Sequence, residues 1–223
     1  AETLSAAAKD PEASVRTHAM KVLSETSPWR GTDAALALAG LEDSGGLVAR
    51  AAADALGQHP GPENIRPLLD RLRRTPAGDA HLVHAMRMAL KSQLRDPESF
   101  RRLAGTDLIT DEADARQIAS AAVAVQSPGA GAFLLRHVQR FAEENEVLAK
   151  YLHHAARYSS EADTDSLVRL ARERFARDID LELGLLSSIQ AGLDQRGLPP
   201  PKSVEEWGAT LAHVVRDPPK PSA

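Results

Sequence analysis

The sequence predicts an all-α protein, a right-handed α-α superhelix (an α-solenoid) of about six stacked helix pairs. Hydrophobic residues make up 43% of the 223 residues and aromatic residues only 4%, and alanine and leucine outnumber the residues that favour strands. Apolar positions recur at helical spacing, and this pattern returns after 33 or 34 residues. Clusters of proline and glycine separate the helical stretches.

The clearest repeat relates the stretch Asp10 to Leu23 to a second stretch 33 residues later. The matching residues are Asp10 with Asp43, Val15 with Val48, Ala19 with Ala52, and Leu23 with Leu56. We expect Asp10 to be the N-cap of a helix that has Pro11 at its first position. A degenerate third copy places Leu82, Met86 and Leu90 on one face. Repeats of this length bury their apolar faces against their neighbours.

The remaining helices are predicted from the same apolar spacing and from the turn signals between them. They cover residues 4–9, 32–41, 62–74, 111–126, 128–142, 144–158, 162–176 and 179–193. In the second half the period is again about 33 residues, and the matching residues are Leu134 with Leu167, Leu148 with Leu181, and Leu152 with Leu185.

The last segment differs from the repeats. Three prolines at positions 199–201 precede Ser203 and Glu206, whose spacing predicts a capping box and a short helix to Val215. Trp207 gives this helix an apolar side, which we expect to dock on the last helix pair. We therefore expect a HEAT-like helical repeat domain over residues 1–196, and a proline-rich linker with a short capping helix over residues 197–223.

Composition excludes several classes of function. The chain has no cysteine, which excludes disulfides, thiolate zinc sites and a cysteine nucleophile. No apolar run approaches the roughly 20 residues of a membrane span, and the N-terminal residues lack the features of a signal peptide. His81 and His84 have a spacing compatible with metal binding, but no second group of ligands accompanies them. No catalytic motif is recognisable, so we expect no enzyme activity, no cofactor and no metal.

The pattern Asp-Pro-x-x-x-Val-Arg-x-x-Ala-x-x-x-Leu at Asp10 to Leu23 resembles the second helix of a HEAT repeat, an armadillo-like α-solenoid unit. The resemblance is good in the first two copies and fades after about residue 95. It implies that Arg16 binds carboxylates and carbonyls of the neighbouring repeat. In the second copy Ala49 stands at this position and Arg50 follows it.

The degenerate, alanine-rich repeats also resemble the HEAT region of large secreted bacterial multidomain proteins with propeller dehydrogenase-like and c-type haem domains. This resemblance implies a secreted or periplasmic location and a segment of a longer chain. The haem motif Cys-x-x-Cys-His does not occur here, so the resemblance implies no cofactor for this chain.

Three functions are compatible with this fold. The first is a non-catalytic scaffold whose concave face, lined by the second helices, docks another protein or a neighbouring domain of the same parent chain. The candidate interaction residues are Arg16, Arg50, Arg66, Arg73, Arg74, Arg87, Lys91 and Trp29. Trp29 follows a proline in a loop, where it either anchors a partner or, as we expect, fills the turn between two repeats. We expect the isolated domain to be a monomer.

The second function is nucleic-acid binding, as in the DNA glycosylases of HEAT-like fold, and it depends on a central basic strip. The cations of this strip are Arg66, Arg71, Arg73, Arg74, Arg87, Lys91, Arg95, Arg101 and Arg102. The net charge of −4 and the presence of Phe100 as the strip's one aromatic residue argue against a nucleic-acid partner. Solvated faces with arginines that bridge to carboxylates of adjacent helices are the alternative interpretation of the strip. The third function is a structural spacer between other domains.

Overall fold

The computed structural model describes residues 2–105, 109, 111–176, 178–197 and 199–216. These residues form thirteen α-helices and one 3-10 turn at Pro62–Asn64, and no strand occurs among them. The helices are α1 (Glu2–Ala7), α2 (Ala13–Ser24), α3 (Gly31–Leu41), α4 (Gly46–Gln58), α5 (Ile65–Arg74), α6 (Ala80–Gln93), α7 (Pro97–Gly105), α8 (Glu112–Ala122), α9 (Pro128–Arg140), α10 (Asn145–Tyr158), α11 (Glu161–Phe175), α12 (Ile179–Arg196) and α13 (Lys202–Arg216). The predicted all-α fold of stacked helix pairs is confirmed.

The chain divides into two compact units, unit 1 (Ala1–Val125) and unit 2 (Gln126–Ala223). In unit 1 the helices α2, α4, α6 and α8 stack in that order, and α3 and α5 pack beside this layer. In unit 2, α12 stacks on α10, while α9, α11 and α13 pack beside these two. We call the even-numbered helices B helices and the odd-numbered helices A helices.

Small apolar side chains build the core, as the composition predicts. Along α4 alone, five alanines are buried, and the repeat-defining residues Val48, Ala52 and Leu56 are all fully buried. The third copy is also confirmed, since Leu82, Met86 and Leu90 are buried on α6. Alanine at these positions lets the axes of stacked helices approach closely. The core is therefore filled without the bulk that aromatic residues supply in other cores.

One glycine marks the closest approach of two B helices. A Cβ atom on Gly192 of α12 would overlap the carbonyl oxygen of His153 on α10, whereas a Cβ on Gly184 of the same helix would meet nothing within 4 Å. Gly192→Ala is therefore expected to destabilise unit 2 by about 1–3 kcal/mol, because α12 must move away from α10. Gly184→Ala is the matched control, and its higher helix propensity is expected to stabilise the helix by about 1 kcal/mol. Urea unfolding of both variants, followed by circular dichroism, measures the difference. Equal effects would contradict the close packing.

The prediction that Asp10 is the N-cap of α2 is wrong. The helix begins at Ala13, and the Asp10 carboxylate instead accepts a hydrogen bond from the backbone N–H of Glu12 at 2.8 Å. Asp43 does the same with the N–H of Gly45 at 2.7 Å. The aspartates are thus equivalent in the two repeats, but they close a turn before the helix rather than the helix itself.

Two further features differ from the sequence prediction. Helix α7 was not predicted, although Phe100 and Leu103 are buried at helical spacing on it. The prediction of a capping box at Ser203 is wrong, because α13 begins at Lys202. The Ser203 hydroxyl donates to Asp165, and Glu206 forms an ion pair with Lys202. The residues predicted as a linker at 217–221 lie outside the described residues.

Candidate functional site

Arg16 joins the first repeat to the second. Its guanidinium forms a two-point ion pair with Asp43, at 2.7 and 3.0 Å, and donates to the carbonyls of Asp10 and Pro11 at 2.9 Å each. The hydrogen bond from Arg16 lowers the pKa of the Asp43 carboxyl below its usual value. This is the contact that the resemblance implied. Since the Arg16 side chain is only 18% exposed and already bound to Asp43, it supports the repeat stack rather than offering a free cation.

The lowered pKa of Asp43 predicts a pH dependence of stability. A carboxyl whose pKa is lower in the folded state contributes stability above its unfolded pKa and loses it as the pH falls through the folded value. Asp43→Asn is expected to lower the free energy of unfolding at pH 7 by about 1 kcal/mol, the upper end for a solvent-screened pair. Urea unfolding at pH 7, 5 and 3 should show this difference shrinking below about pH 4. Asp10→Asn is the control in the equivalent turn, and a constant difference at all three pH values would contradict the assignment.

The arginines of α5 are bound within unit 1. Arg66 and Arg73 both pair with the buried carboxylate of Asp114 on α8, at 2.6 and 2.7 Å. Arg74 forms a two-point pair with Glu42, which follows α3, at 2.8 and 2.9 Å. These contacts connect α5 to its neighbours and pair these three arginines with carboxylates, whereas Arg71 donates to the carbonyl of Asp43, at 3.4 Å. The predicted basic strip is therefore divided, and nothing in this arrangement favours the nucleic-acid alternative.

Three other candidate cations lie on B helices and differ from those of α5. Arg50 is on α4, and Arg87 and Lys91 are on α6, the next helix of the same layer. In the part of the chain that the structure describes, none of the three forms an ion pair. Arg87 is exposed, and Arg50 and Lys91 are half-buried. Their charges therefore remain available to another molecule.

Apolar and titratable side chains accompany these cations at related positions of α4 and α6. Leu47 is 65% exposed and Met88 is 46% exposed, so both offer apolar contact area at the surface. Burial raises the pKa of Asp54, and the nearby charges of Arg50 and His84 oppose that rise. We call this surface the B face of unit 1, and it comprises Leu47, Arg50, Asp54, His81, His84, Arg87, Met88 and Lys91.

Trp29 packs in the loop between α2 and α3. Its ring stacks on the His59 ring, which follows α4, with centroids 3.9 Å apart and planes 9° from parallel. His59 in turn lies 3.2 Å, through Nε2, from the carbonyl oxygen of Leu23 at the end of α2. The tryptophan therefore fills the turn between the first two repeats, as we expected, and a role as a partner anchor stays a prediction.

The sequence analysis did not predict the buried polar contacts of Gln93 or those of His137. Gln93 on α6 is fully buried. Its side-chain amide accepts from Gly61 and Asn64, at 2.8 and 3.1 Å, and donates to the carbonyls of Leu56 and Ala89, at 2.9 and 3.0 Å. It therefore connects α4, α6 and the turn before α5. No local sequence signal distinguishes it from an exposed glutamine.

The second buried group is the pair of His137 and Glu143 in unit 2. The Nε2 of His137 lies 2.6 Å from the Glu143 carboxylate, and the two side chains are 1% and 8% exposed. The rings of Phe141 and Tyr151 surround the imidazole, with centroids 5.2 and 5.7 Å away. The contact between His137 and Glu143 holds the segment that follows α9 against α9.

The described residues contain no cluster of three or more histidine or acidic side chains that could hold a metal ion. Within the same residues, no helix combines the length and apolarity that crossing a membrane requires. A groove with a mainly apolar lining lies in unit 2, and it is described below.

The contact between Arg16 and Asp43 lies within the part of the chain that matches a known family. Residues 1–91 match the HEAT-repeat family. The match covers α1 to α5 and most of α6, which are the helices joined by Arg16, Trp29 and the alanine-lined stack. Together with the all-helical structure of the described residues, the match supports a HEAT-like repeat protein. A comparison with curated proteins found no match. HEAT repeats generally serve as protein-interaction scaffolds, and the family is typically non-catalytic. The resemblance to secreted proteins with haem domains stays a prediction.

Proposed function

We propose that this chain is a non-catalytic docking scaffold, which binds another protein or a neighbouring domain of the same parent chain through the B face of unit 1. The observation that supports this proposal is the contrast between two sets of cations. Arg66, Arg73 and Arg74 of α5 are held by carboxylates, whereas Arg50, Arg87 and Lys91 make no ion pair in the described chain.

A partner gains the most binding free energy from cations that are not already paired with a carboxylate of the chain. Binding Arg66 or Arg73 would break one of the two ion pairs that these arginines make with the buried carboxylate of Asp114, which costs free energy. Binding Arg87 or Lys91 displaces only water and small ions. Charges of this kind orient a partner and speed its association, while apolar neighbours such as Met88 supply contact area. The surface thus selects a partner segment that is acidic and carries aliphatic side chains.

The experiment is a titration of the chain with a fluorescent synthetic peptide that alternates glutamate with leucine. Arg87→Glu/Lys91→Glu is expected to weaken binding at least about tenfold, which corresponds to about 1.4 kcal/mol. Arg136→Glu/Lys150→Glu is the matched control, since it makes the same charge change at exposed positions of unit 2. Raising the salt from 50 to 200 mM should weaken the wild-type complex.

Two results would contradict the proposal. Equal losses in the two double variants would show that the peptide responds to net charge rather than to the B face. Tighter binding of duplex DNA than of the acidic peptide by the wild-type chain would favour the nucleic-acid alternative. Circular dichroism of each variant verifies that the helices are retained.

A further inference from the structure

Unit 2 contains an open groove between the start of α12 and the end of α13. Its volume is about 930 Å³. The Trp207 indole lies at its inner side and donates to the Glu182 carboxylate at 2.9 Å. The groove is otherwise lined mainly by aliphatic side chains, which are Ala176, Ile179, Leu183, Leu211, Val214 and Val215. Three of these, Leu183, Val214 and Val215, are 36%, 38% and 57% exposed.

The α13 side of the groove is firmly anchored. Val204, Trp207 and Leu211 bury one side of α13 against α11 and α12, and the Ser203 hydroxyl binds Asp165 of α11. The exposed valines at its last turn are therefore not the frayed end of a detached helix. They continue the apolar side of Val204, Trp207 and Leu211 toward the end of α13, where the described part of unit 2 leaves it uncovered.

The position of the groove indicates the shape of its occupant. Helix α11 is an A helix, and the B helix α12 covers it while stacking on α10. Helix α13 packs on α11 and α12 as the next A helix, but no further B helix follows it among the described residues. The groove between α12 and α13 thus continues the B layer, at the place where another B helix would lie.

The dimensions and charges of the groove agree with a helical occupant. Trp207 and Val215 are eight residues apart on α13, which is about 12 Å, or two helical turns. A helix of that length presents three or four aliphatic side chains at positions i, i+3, i+4 and i+7. Arg172 and Asp180 lie at the rim, and neither forms an ion pair within the described chain. Charges of opposite sign on the bound helix would determine which way it runs along the groove.

We propose that this groove binds an amphipathic α-helix of a partner protein, seated as an additional B helix on α12 and α13. The site is on unit 2 and involves none of the B-face residues, so it is independent of the proposed function. The partner helix carries an aliphatic stripe toward the groove, with an acidic residue toward Arg172 and a basic residue toward Asp180.

The test uses a defined probe, a fluorescein-labelled 18-residue peptide with the sequence of α12, the chain's own B helix of unit 2. We expect saturable binding to the full chain by fluorescence anisotropy, and loss of binding for a peptide with serine in place of the leucines and isoleucines. Leu183→Glu and Val215→Glu should each weaken binding at least about tenfold. They lie on different helices, so a folding defect in one leaves the other informative.

Val22→Glu is the matched control, because Val22 is a 53% exposed aliphatic residue on α2 in unit 1. It is expected to leave binding unchanged. The absence of saturable binding to the wild-type chain, or an equal loss with Val22→Glu, would overturn the proposal. So would a dimer in sedimentation velocity that Leu183→Glu converts to a monomer, because the occupant would then be a second copy. Loss of peptide binding by Leu183→Glu with retained binding of the acidic peptide would separate this site from the B face.

Discussion

Replacing Gln93 with leucine is expected to lower the free energy of unfolding of unit 1 by about 2–6 kcal/mol. Leucine fills a similar volume but makes no hydrogen bonds, so the N–H of Gly61 loses its acceptor, and the Asn64 amide keeps only the carbonyl of His59. Each buried donor without an acceptor costs about 1–3 kcal/mol. Urea unfolding followed by circular dichroism measures the change.

Gln58→Leu is the matched control for this substitution, because Gln58 is an exposed glutamine near the end of α4. Its effect is expected to stay within about 0.5 kcal/mol, as for most surface substitutions. Similar effects for Gln93→Leu and Gln58→Leu would show that the buried amide does not hold the repeats together.

Replacing His137 with leucine is expected to destabilise unit 2 by about 3–5 kcal/mol. The change removes the 2.6 Å partner of the Glu143 carboxylate and leaves a carboxylate that is 8% exposed. Removing the partner of a buried acceptor costs about 1–3 kcal/mol, and the packing of the imidazole against Phe141 and Tyr151 is lost as well. Thermal and urea unfolding measure the loss.

The double substitution His137→Leu/Glu143→Leu distinguishes this explanation from a simple packing effect. With no carboxylate left to solvate, the double variant is expected to be more stable than the single variant. If the two losses instead add, the contact between His137 and Glu143 is not the cause. His153→Leu, at a half-exposed histidine of α10, controls for the loss of an imidazole.

Much of the fold could be predicted because the packing of a solenoid is local. Val48, Ala52 and Leu56 recur at the spacing of Val15, Ala19 and Leu23, and each stacked helix needs such a stripe to cover its neighbour. The start of α2 could not be predicted as well. Asp10 and Pro11 suit a helix start, but the guanidinium of Arg16 binds their carbonyls and holds them in a turn before the helix.

The division of the basic residues is the part that local sequence could not show. Arg66 and Asp114 are 48 residues apart, and their pairing depends on where the folded stack places α5 and α8. Arg50, Arg87 and Lys91 look the same in sequence as the arginines of α5. Only their place on B helices, away from carboxylates of neighbouring repeats, distinguishes them. For the same reason, the buried contacts of Gln93 and His137 carry no local signal.

The most direct test of the account is a chemical-shift map of the ¹⁵N-labelled chain on addition of the acidic, leucine-containing peptide. The central claim is that the B face of unit 1 is the docking surface. It predicts that the largest amide shifts fall on α4 and α6, around Arg50, Met88 and Lys91, and that α5 shows smaller shifts. Largest shifts on α5 around Arg66 and Arg73, or on unit 2, would contradict the claim.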